Sequence, residues 1–162
     1  MVDKLIDKFC DIIFSIINYY ISKNLNPDLT ISDIKELSGD NLDDLKTNGI
    51  KGLIIDLDET LRFDKKDIPM CNKEWLQMAK IKLKIVVLSN GYCPNTEKYL
   101  KEIGIDYISL AYKPLKKSFK KAITDLNLAP DEIFMIGDDY FSDIYGGSRN
   151  KLKTILVDSK LK

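Results

Sequence analysis

The amino-acid sequence predicts an α/β fold with a parallel sheet of five strands and helices on both of its faces. Apolar segments rich in valine and isoleucine alternate with segments of helical periodicity along residues 52–157. The apolar segments end near glycine, asparagine, serine or aspartate, which favour turns. Strands that alternate with helices pair in parallel, because each helix carries the chain back to the same edge of the sheet.

Composition limits the classes of protein that remain. The chain of 162 residues is long enough for one domain, and its 25 basic and 25 acidic side chains give no strong nucleic-acid signal. It contains no histidine, which excludes Ser-His-Asp and Cys-His catalysis and histidine-bound zinc. Its three cysteines are widely spaced, which fits no disulfide framework and indicates a reducing, cytoplasmic location.

Residues 1–24 are predicted to form an N-terminal amphipathic helix ahead of a body at 25–162, within one globular unit. The segment lacks a signal-peptide cleavage site, and polar residues interrupt it short of bilayer length. We expect its apolar face to pack on the body or on a second copy in a homodimer, with peripheral membrane contact as the alternative. The apolar positions are Leu5, Phe9, Ile12, Ile13, Ile16, Ile17 and Tyr20, and the polar stripe comprises Asp7, Asp11, Ser15, Asn18 and Ser22.

The remaining elements follow from apolar periodicity and turn residues. Residues 24–48 are polar and turn-rich, with a short helix capped by Asp40 or Asn41. Pro114 is predicted to lie in the first turn of a helix, and Gly104 to end one. The predicted strands are 52–55, 82–88, 105–110, 133–136 and 153–157, and the later helices are 72–81, 95–103 and 114–127.

Polar side chains follow four successive strands at or just beyond the points where the strands end. The carboxyl ends of neighbouring parallel strands share one crevice, so we expect these side chains to meet there. Asp56 and Asp58 project the same way from an extended chain, and two such carboxylates repel unless a divalent cation or a lysine lies between them. The four groups are Asp56 with Asp58, Ser89, Lys113, and Asp138 with Asp143.

This order of residues resembles the four motifs of the haloacid dehalogenase (HAD) superfamily of phosphohydrolases. The resemblance covers about residues 50–158 and implies a three-layer Rossmann-like fold. The motifs here are Asp56-Leu-Asp58-Glu-Thr-Leu, Ser89-Asn-Gly, Lys113-Pro and Gly137-Asp138-Asp-Tyr-Phe-Ser-Asp143.

The last motif continues in a way that is similar to the branch containing the phosphatidylglycerophosphatases. That branch has Gly-Gly-Asn-Arg where this chain has Gly146-Gly147-Ser148-Arg149. It also has asparagine where this chain has Glu59 and Gly91. These departures leave the residues of the superfamily chemistry intact and bear on the substrate.

The resemblance implies a Mg²⁺-dependent phosphomonoesterase. Asp56 is the implied nucleophile, which forms an aspartyl phosphate, and Asp58 the implied general acid and base. Ser89 and Lys113 are implied to bind the phosphoryl oxygens, with Asn90 and Arg149 as further substrate-binding residues. The implied metal site consists of Asp56, Asp58 through its backbone carbonyl, Asp138 and Asp143, with Asp139 as a possible helper.

The spacing of the motifs leaves no room for a cap domain. The resemblance to capless members of the superfamily implies an open site suited to a phosphate on a bulky carrier. A basic face is formed by Lys113, Lys116, Lys117, Lys120 and Lys121. It is either a solvated helix face or, if functional, favours with the apolar N-terminal helix a phospholipid head group at the inner membrane face. The substrate hypothesis is phosphatidylglycerophosphate. A phosphoprotein or polynucleotide phosphatase and a non-catalytic phosphate-binding module stay open as alternatives.

Overall fold

A parallel sheet of six strands organises the chain. The computed structural model describes residues 2–161, with only the backbone described for 2–5, 7–9 and 161. The strands form one sheet in the order β1-β6-β5-β2-β3-β4, with every neighbouring pair parallel. They are β1 (Leu29–Ile31), β2 (Gly52–Ile55), β3 (Lys84–Leu88), β4 (Asp106–Ile108), β5 (Ile133–Gly137) and β6 (Lys153–Val157).

Helices cover both faces of this sheet. Their bounds are α1 (Val2–Asn24), α2 (Asp40–Thr47), α3 (Met70–Lys82), α4 (Pro94–Glu102), α5 (Lys116–Leu126) and α6 (Gly146–Arg149). Gly104 ends α4 with a left-handed φ of 71°, as predicted. Two predictions are wrong: α2 begins after Gly39 without a side-chain cap, and α5 begins two residues after Pro114.

The prediction of five strands is wrong because β1 adds a sixth at the edge. This strand has three residues, of which only Ile31 is buried, so the sequence carries no periodic signal for it. Hydrogen bonds of Asp28 dock the segment that leads into β1. Its Oδ2 accepts from the backbone N–H of Thr154 at 2.7 Å and from the Thr154 hydroxyl at 3.1 Å.

Alternation along the strands divides the core between the two faces of the sheet. Leu53 and Ile55 of β2 belong to a cluster with α2, α3 and α4, and Ile54 points to the opposite cluster with α5. Strand β2 is buried along its whole length, as is β5. Strands covered on both faces read as continuous apolar runs, which is why the sequence predicts them well.

Helix α1 packs mainly against the acidic loop, residues 138–145, which includes one π-helical turn at Tyr140–Tyr145. The prediction that its apolar face packs on the body is wrong for Ile12, Ile13, Ile16 and Tyr20, which are exposed. The side chains of Leu5 and Phe9 lie outside the described part. Packing against a second copy stays a prediction. Within residues 2–161, the helices include none with the length and apolarity of a bilayer span.

The edge where the strands end is open, as predicted. Between β2 and α3 the chain makes a loop at 56–69, and between β3 and α4 it makes a short loop at 89–93. Neither has room for a cap domain. Asn72 fixes the first loop, because its side-chain amide donates to the Leu61 carbonyl at 2.9 Å in a buried position.

Candidate active site

A buried lysine joins two carboxylates at the carboxyl end of the sheet. Lys113 Nζ lies 2.5 Å from Asp56 Oδ1 and 2.6 Å from Asp143 Oδ1. All three side chains are at least nine-tenths buried. These residues follow β2, β4 and β5, so the sheet brings together groups that lie up to 87 positions apart in the chain. The structure therefore brings three of the predicted site residues together at one edge of the sheet.

Asp138 completes the acidic side of this cluster. Among the described residues, one carboxylate oxygen from each of Asp56, Asp138 and Asp143 lies within 4.8 Å of the other two. Oxygens on opposite sides of one Mg²⁺ ion are roughly 4 Å apart, and carboxylates are the ligands that this ion prefers. The donor set therefore fits a small, hard divalent cation. The outermost member, Asp138, is only partly buried and leaves access from solvent.

The acidic loop holds Asp143 against the backbone of β5. Asp143 Oδ2 accepts from the N–H of Asp139 at 3.1 Å, while its Oδ1 accepts from Lys113. A Cβ at Gly137 would lie 2.1 Å from Asp143 Oδ2, far inside contact distance. Glycine is therefore required at 137 because the Asp143 carboxylate occupies the space that a side chain would need.

Three carboxylates share a single ammonium group, and their pKa values reflect this imbalance. Burial raises the pKa of Asp138 to about 7, and the neighbouring Asp143 carboxylate adds to the rise. Burial likewise raises the pKa of Asp143 to about 7, against the opposing charge of Lys113. Burial alone would lower the pKa of Lys113, but Asp143 and Asp56 raise it above its usual value. The lysine stays charged, and the cluster retains excess negative charge that a cation would neutralise.

Asp58 is partly exposed and pairs with a neighbouring arginine. Arg62 Nε donates to Asp58 Oδ1 at 2.9 Å, and the arginine side chain is almost fully buried. The next stretch, Glu59 to Leu61, turns the chain back so that Arg62 stands beside Asp58. A fixed guanidinium restricts the rotamers of this carboxylate, whose other oxygen, Oδ2, lies beside Gly91.

Ser89 and Asn90 follow β3 and line the same edge. A Cβ built at Gly91 would lie 3.6 Å from Asp58 Oδ2 and 3.7 Å from Ser89 Oγ, so the serine hydroxyl and the Asp58 carboxylate flank this glycine. Asn90 instead holds the lysine segment. Its Oδ1 accepts from the backbone N–H of Lys113 at 2.6 Å, and its Nδ2 donates to the Lys113 carbonyl at 3.4 Å.

Arg149 and Asp139 lie outside the buried cluster. The Arg149 guanidinium sits 5.2 Å from the centroid of the Tyr145 ring and is exposed. Asp139 turns its carboxylate toward Ser142, whose N–H and hydroxyl each donate to Asp139 Oδ1 at 2.6 Å. Of the two aspartates that follow Asp138, the cluster therefore includes Asp143 and not Asp139.

Sequence reasoning missed two side chains with roles in this arrangement, Arg62 and Asn18. Arg62 lies in the loop after β2, where its charge, opposite to that of Asp58 four positions earlier, is a signal that could have found the pair. Asn18 of α1 contacts loop residues that lie more than 120 positions later in the chain, and no local sequence pattern predicts such a contact. Its position in the polar stripe predicted exposure to solvent.

Comparisons with known proteins agree with this geometry. A HAD-hydrolase-like family model matches residues 111–160. The probable phosphatase YqeG of Bacillus subtilis is 31% identical over 139 residues, which are 85% of this chain and 79% of that protein. The glyceraldehyde 3-phosphate phosphatase of Pyrococcus furiosus is 29% identical over 83 residues, 51% of this chain and 29% of that protein.

Solved structures share the fold. An uncharacterised protein from Listeria monocytogenes superposes with a TM-score of 0.52 at 24% identity, over 66% of this chain and 78% of its own. A HAD family enzyme from Bacteroides thetaiotaomicron, solved with magnesium and inorganic phosphate, gives a TM-score of 0.56 at 17% identity, over 67% of this chain and 94% of its own. The similarity to YqeG extends over most of both chains, and the capless parallel sheet agrees with it. The chain therefore belongs to the HAD superfamily of phosphatases.

Proposed function

We propose that the protein hydrolyses phosphate monoesters through an aspartyl phosphate on Asp56, with Mg²⁺, and that its substrate is phosphatidylglycerophosphate. The observation that carries the catalytic part is the buried contact of Lys113 with Asp56 and Asp143 beside Asp138. Such a cluster is unfavourable for stability alone, because three carboxylates share one cation. In a phosphatase, the carboxylates would hold a metal ion and Lys113 would contact the phosphoryl group, so each of these charges would have a catalytic role.

The first step of the proposed reaction uses Asp56 and Asp58. A carboxylate oxygen of Asp56 attacks phosphorus, the bond between phosphorus and the ester oxygen breaks, and Asp58 gives its proton to the leaving oxygen. Lys113 holds the Asp56 carboxylate and places positive charge beside the phosphoryl oxygens. Ser89 donates its hydroxyl proton to one of these oxygens, and Arg62 keeps Asp58 in place.

The second step regenerates the enzyme. A water molecule attacks phosphorus, Asp58 takes the proton of that water, and the bond between phosphorus and the Asp56 oxygen breaks to release inorganic phosphate. Asp56, Asp138 and Asp143, with the backbone carbonyl of Asp58, would hold Mg²⁺. When bound, this ion neutralises phosphate charge that would otherwise repel the Asp56 carboxylate.

Three features support a lipid phosphate as the substrate. The edge that carries the cluster is not covered by a cap, so a head group on a membrane surface can approach it. The apolar face of α1 is exposed, including Ile16 at 62% and Tyr20 at 69% of their accessible areas. Helix α5 begins three residues after Lys113 and exposes a basic face that suits anionic lipid. Its lysines are Lys116, Lys117, Lys120 and Lys121.

A phosphoprotein or polynucleotide phosphatase is the second candidate. The open edge would admit a phosphate on any bulky carrier, and Asp58-Glu59-Thr60-Leu61 resembles the motif of capless protein phosphatases. The relative that acts on glyceraldehyde 3-phosphate adds a small sugar phosphate to the set worth testing.

The deciding experiment measures phosphate release from four substrates with Mg²⁺: phosphatidylglycerophosphate in mixed micelles, a phosphopeptide, a 3′-phosphorylated oligonucleotide and glyceraldehyde 3-phosphate. We expect turnover of the lipid to exceed that of the others by at least about tenfold, a difference of 1.4 kcal/mol in transition-state binding. Preference for another member of the set would overturn the lipid assignment and leave the phosphatase chemistry standing. Absence of turnover for all four would remove the catalytic proposal.

Ile16→Ser provides a control for membrane contact. This substitution removes exposed apolar area from α1 without touching the cluster. It should lower turnover of the lipid in vesicles and leave hydrolysis of the water-soluble ester p-nitrophenyl phosphate unchanged. Equal effects on both esters would argue against α1 as a membrane contact.

The raised pKa values of the acidic cluster predict how metal binding depends on pH. Asp138 and Asp143 have pKa values of about 7 in the metal-free protein, against about 3.9 for an unfolded aspartate. The free energy of unfolding of the metal-free protein therefore falls as pH rises from about 4 through about 7, because the folded state must then hold the charged forms. Mg²⁺ binds the deprotonated carboxylates, so its stabilising effect grows over the same range.

This pH dependence can be measured by thermal unfolding with and without saturating Mg²⁺. We expect a small increase in Tm at about pH 5.5 and a larger one at about pH 8. Asp138→Asn should lose most of the increase at the higher pH, whereas Asp44→Asn, on the exposed face of α2, should keep it. An increase of the same size at both pH values would show that Mg²⁺ does not bind these carboxylates.

A further inference from the structure

Helix α1 touches the acidic loop through one side-chain amide that uses both of its ends. Asn18 Nδ2 donates to Asp139 Oδ2 at 2.8 Å. The backbone N–H of Phe141 donates to Asn18 Oδ1, also at 2.8 Å. The amide thus binds a side chain and the backbone of the same loop, two residues apart. Such a pair of bonds fixes direction as well as distance.

Both hydrogen bonds are made to the loop that also carries Asp138 and Asp143 of the cluster. The Asp139 carboxylate is held between Asn18 on one oxygen and Ser142 on the other. The backbone N–H of the same aspartate donates to Asp143 Oδ2. That N–H belongs to the peptide unit that joins Asp139 to Asp138. Fixing the Asp139 side chain therefore restricts the backbone that places both Asp138 and Asp143.

Aromatic rings extend the contact on one side of the amide. Phe14 of α1 meets Phe141 edge to face, with ring centroids 6.0 Å apart. Phe141 stacks on Tyr145 at the same centroid distance. These rings keep α1 alongside the π-helical turn, a conformation that is rare and needs support from its surroundings. The ring contacts depend less strictly on orientation than the hydrogen bonds of Asn18 do.

We propose that Asn18 is a positioning residue for the metal-binding aspartates, and that α1 acts through it as a brace for the acidic loop. The apolar face of α1 is exposed, so a helix serving only to cover the core would present a different side. The side that meets the body carries a polar residue with two specific bonds to the loop. The inference deepens the proposed function, because it assigns a structural control of metal binding at the same site.

A swap of the two side chains tests the proposal. Asn18→Asp removes the donor and sets a second carboxylate against that of Asp139, which should raise the Mg²⁺ concentration for half of the maximal increase in Tm about tenfold. In the double variant Asn18→Asp with Asp139→Asn, the new amide at 139 can donate to the new carboxylate at 18. Its oxygen still accepts from Ser142, and the carboxylate still accepts from the N–H of Phe141. We expect this variant to recover to within about threefold of the wild type.

Ser15→Asp is the matched control. It adds the same charge one turn earlier on α1, at an exposed position. Its Mg²⁺ dependence should equal that of the wild type. Asn18→Ala, which removes both bonds without adding a charge, should weaken Mg²⁺ binding in the same direction as Asn18→Asp. In activity assays the Asn18 variants should require more Mg²⁺, with an unchanged KM for the phosphate ester at saturating metal.

Two results would overturn the brace. One is an equal Mg²⁺ requirement for Asn18→Asp and Ser15→Asp. The other is a double variant that stays as weak as Asn18→Asp. Thermal unfolding reports metal binding without turnover, so these results judge the brace even if none of the four phosphate esters is hydrolysed. That outcome would reject the proposed function alone.

Discussion

Asp56→Asn is expected to abolish phosphate release while leaving the metal-free protein as stable as the wild type, or more stable. The amide cannot form the aspartyl phosphate, so activity should fall at least about 10³-fold, the order of loss that follows removal of a nucleophile. Stability should not fall, because burial and the negative charge of Asp138 raise the pKa of Asp56. The substitution removes one of three carboxylates that share Lys113, and its oxygen can still accept from Lys113 Nζ.

The measurement pairs phosphate release with Tm in the absence of metal at about pH 8, where the carboxylates of the cluster are charged. Asp44→Asn makes the same chemical change at an exposed site and should alter neither quantity. Retention of more than about one-tenth of the activity would argue against covalent catalysis at Asp56. A marked fall in Tm would mean that this carboxylate stabilises the fold, contrary to the charge count of the cluster.

The sequence alone was enough to predict the parts of the site that lie next to buried strands. Strands β2 and β5 are apolar along their whole length because both faces are covered, so their ends are easy to locate. Asp56 and Asp138 directly follow them. Lys113 lies five residues beyond β4, although the predicted strand 105–110 ended closer to it, and the order of motifs supported the placement that strand position had suggested.

Other features depend on contacts that no local pattern encodes. Helical periodicity separates the apolar and polar sides of α1 but does not say which side meets the body. Asn18 of the polar stripe does so beside the apolar Phe14, and the contact depends on where the acidic loop presents Asp139 and the N–H of Phe141. Strand β1 likewise has no recognisable pattern in the sequence. It has three residues, and Asp28 docks it on Thr154 across 126 positions.

The acidic loop connects the site residues that the sequence predicts with the α1 contact that no local pattern encodes. Because Gly137 has no side chain, the Asp143 carboxylate can lie against β5. The N–H of Asp139 then fixes Asp143, and the side chain of Asp139 reaches out to α1. Asp143, which the motif predicts, and the contact of Asn18, which it does not, are therefore linked through one short segment of backbone. Changes at the surface of α1 can reach the cluster through that segment.

Lys113→Met is expected to have the opposite effect on stability from Asp56→Asn while also removing activity. Loss of the ammonium leaves the carboxylates of Asp56 and Asp143 buried and uncompensated. Breaking a buried ion pair in this way destabilises a protein by about 3–5 kcal/mol, or roughly 6–20 °C in Tm for a domain of this size. Phosphate release should fall at least about 10²-fold, because the positive charge beside the phosphoryl oxygens is gone.

The pH dependence of Lys113→Met separates a charge effect from a packing effect. Without the lysine, the pKa values of the carboxyls rise further above that of an unfolded aspartate, so the deficit in stability should be small near pH 4 and should grow as pH rises beyond about 7. Mg²⁺ should restore part of it by replacing the missing positive charge. Lys116→Met, three residues along and exposed, should change Tm little at any pH. A deficit that is the same at low and high pH would mean that Lys113 contributes by packing, and the cluster would then need another source of positive charge.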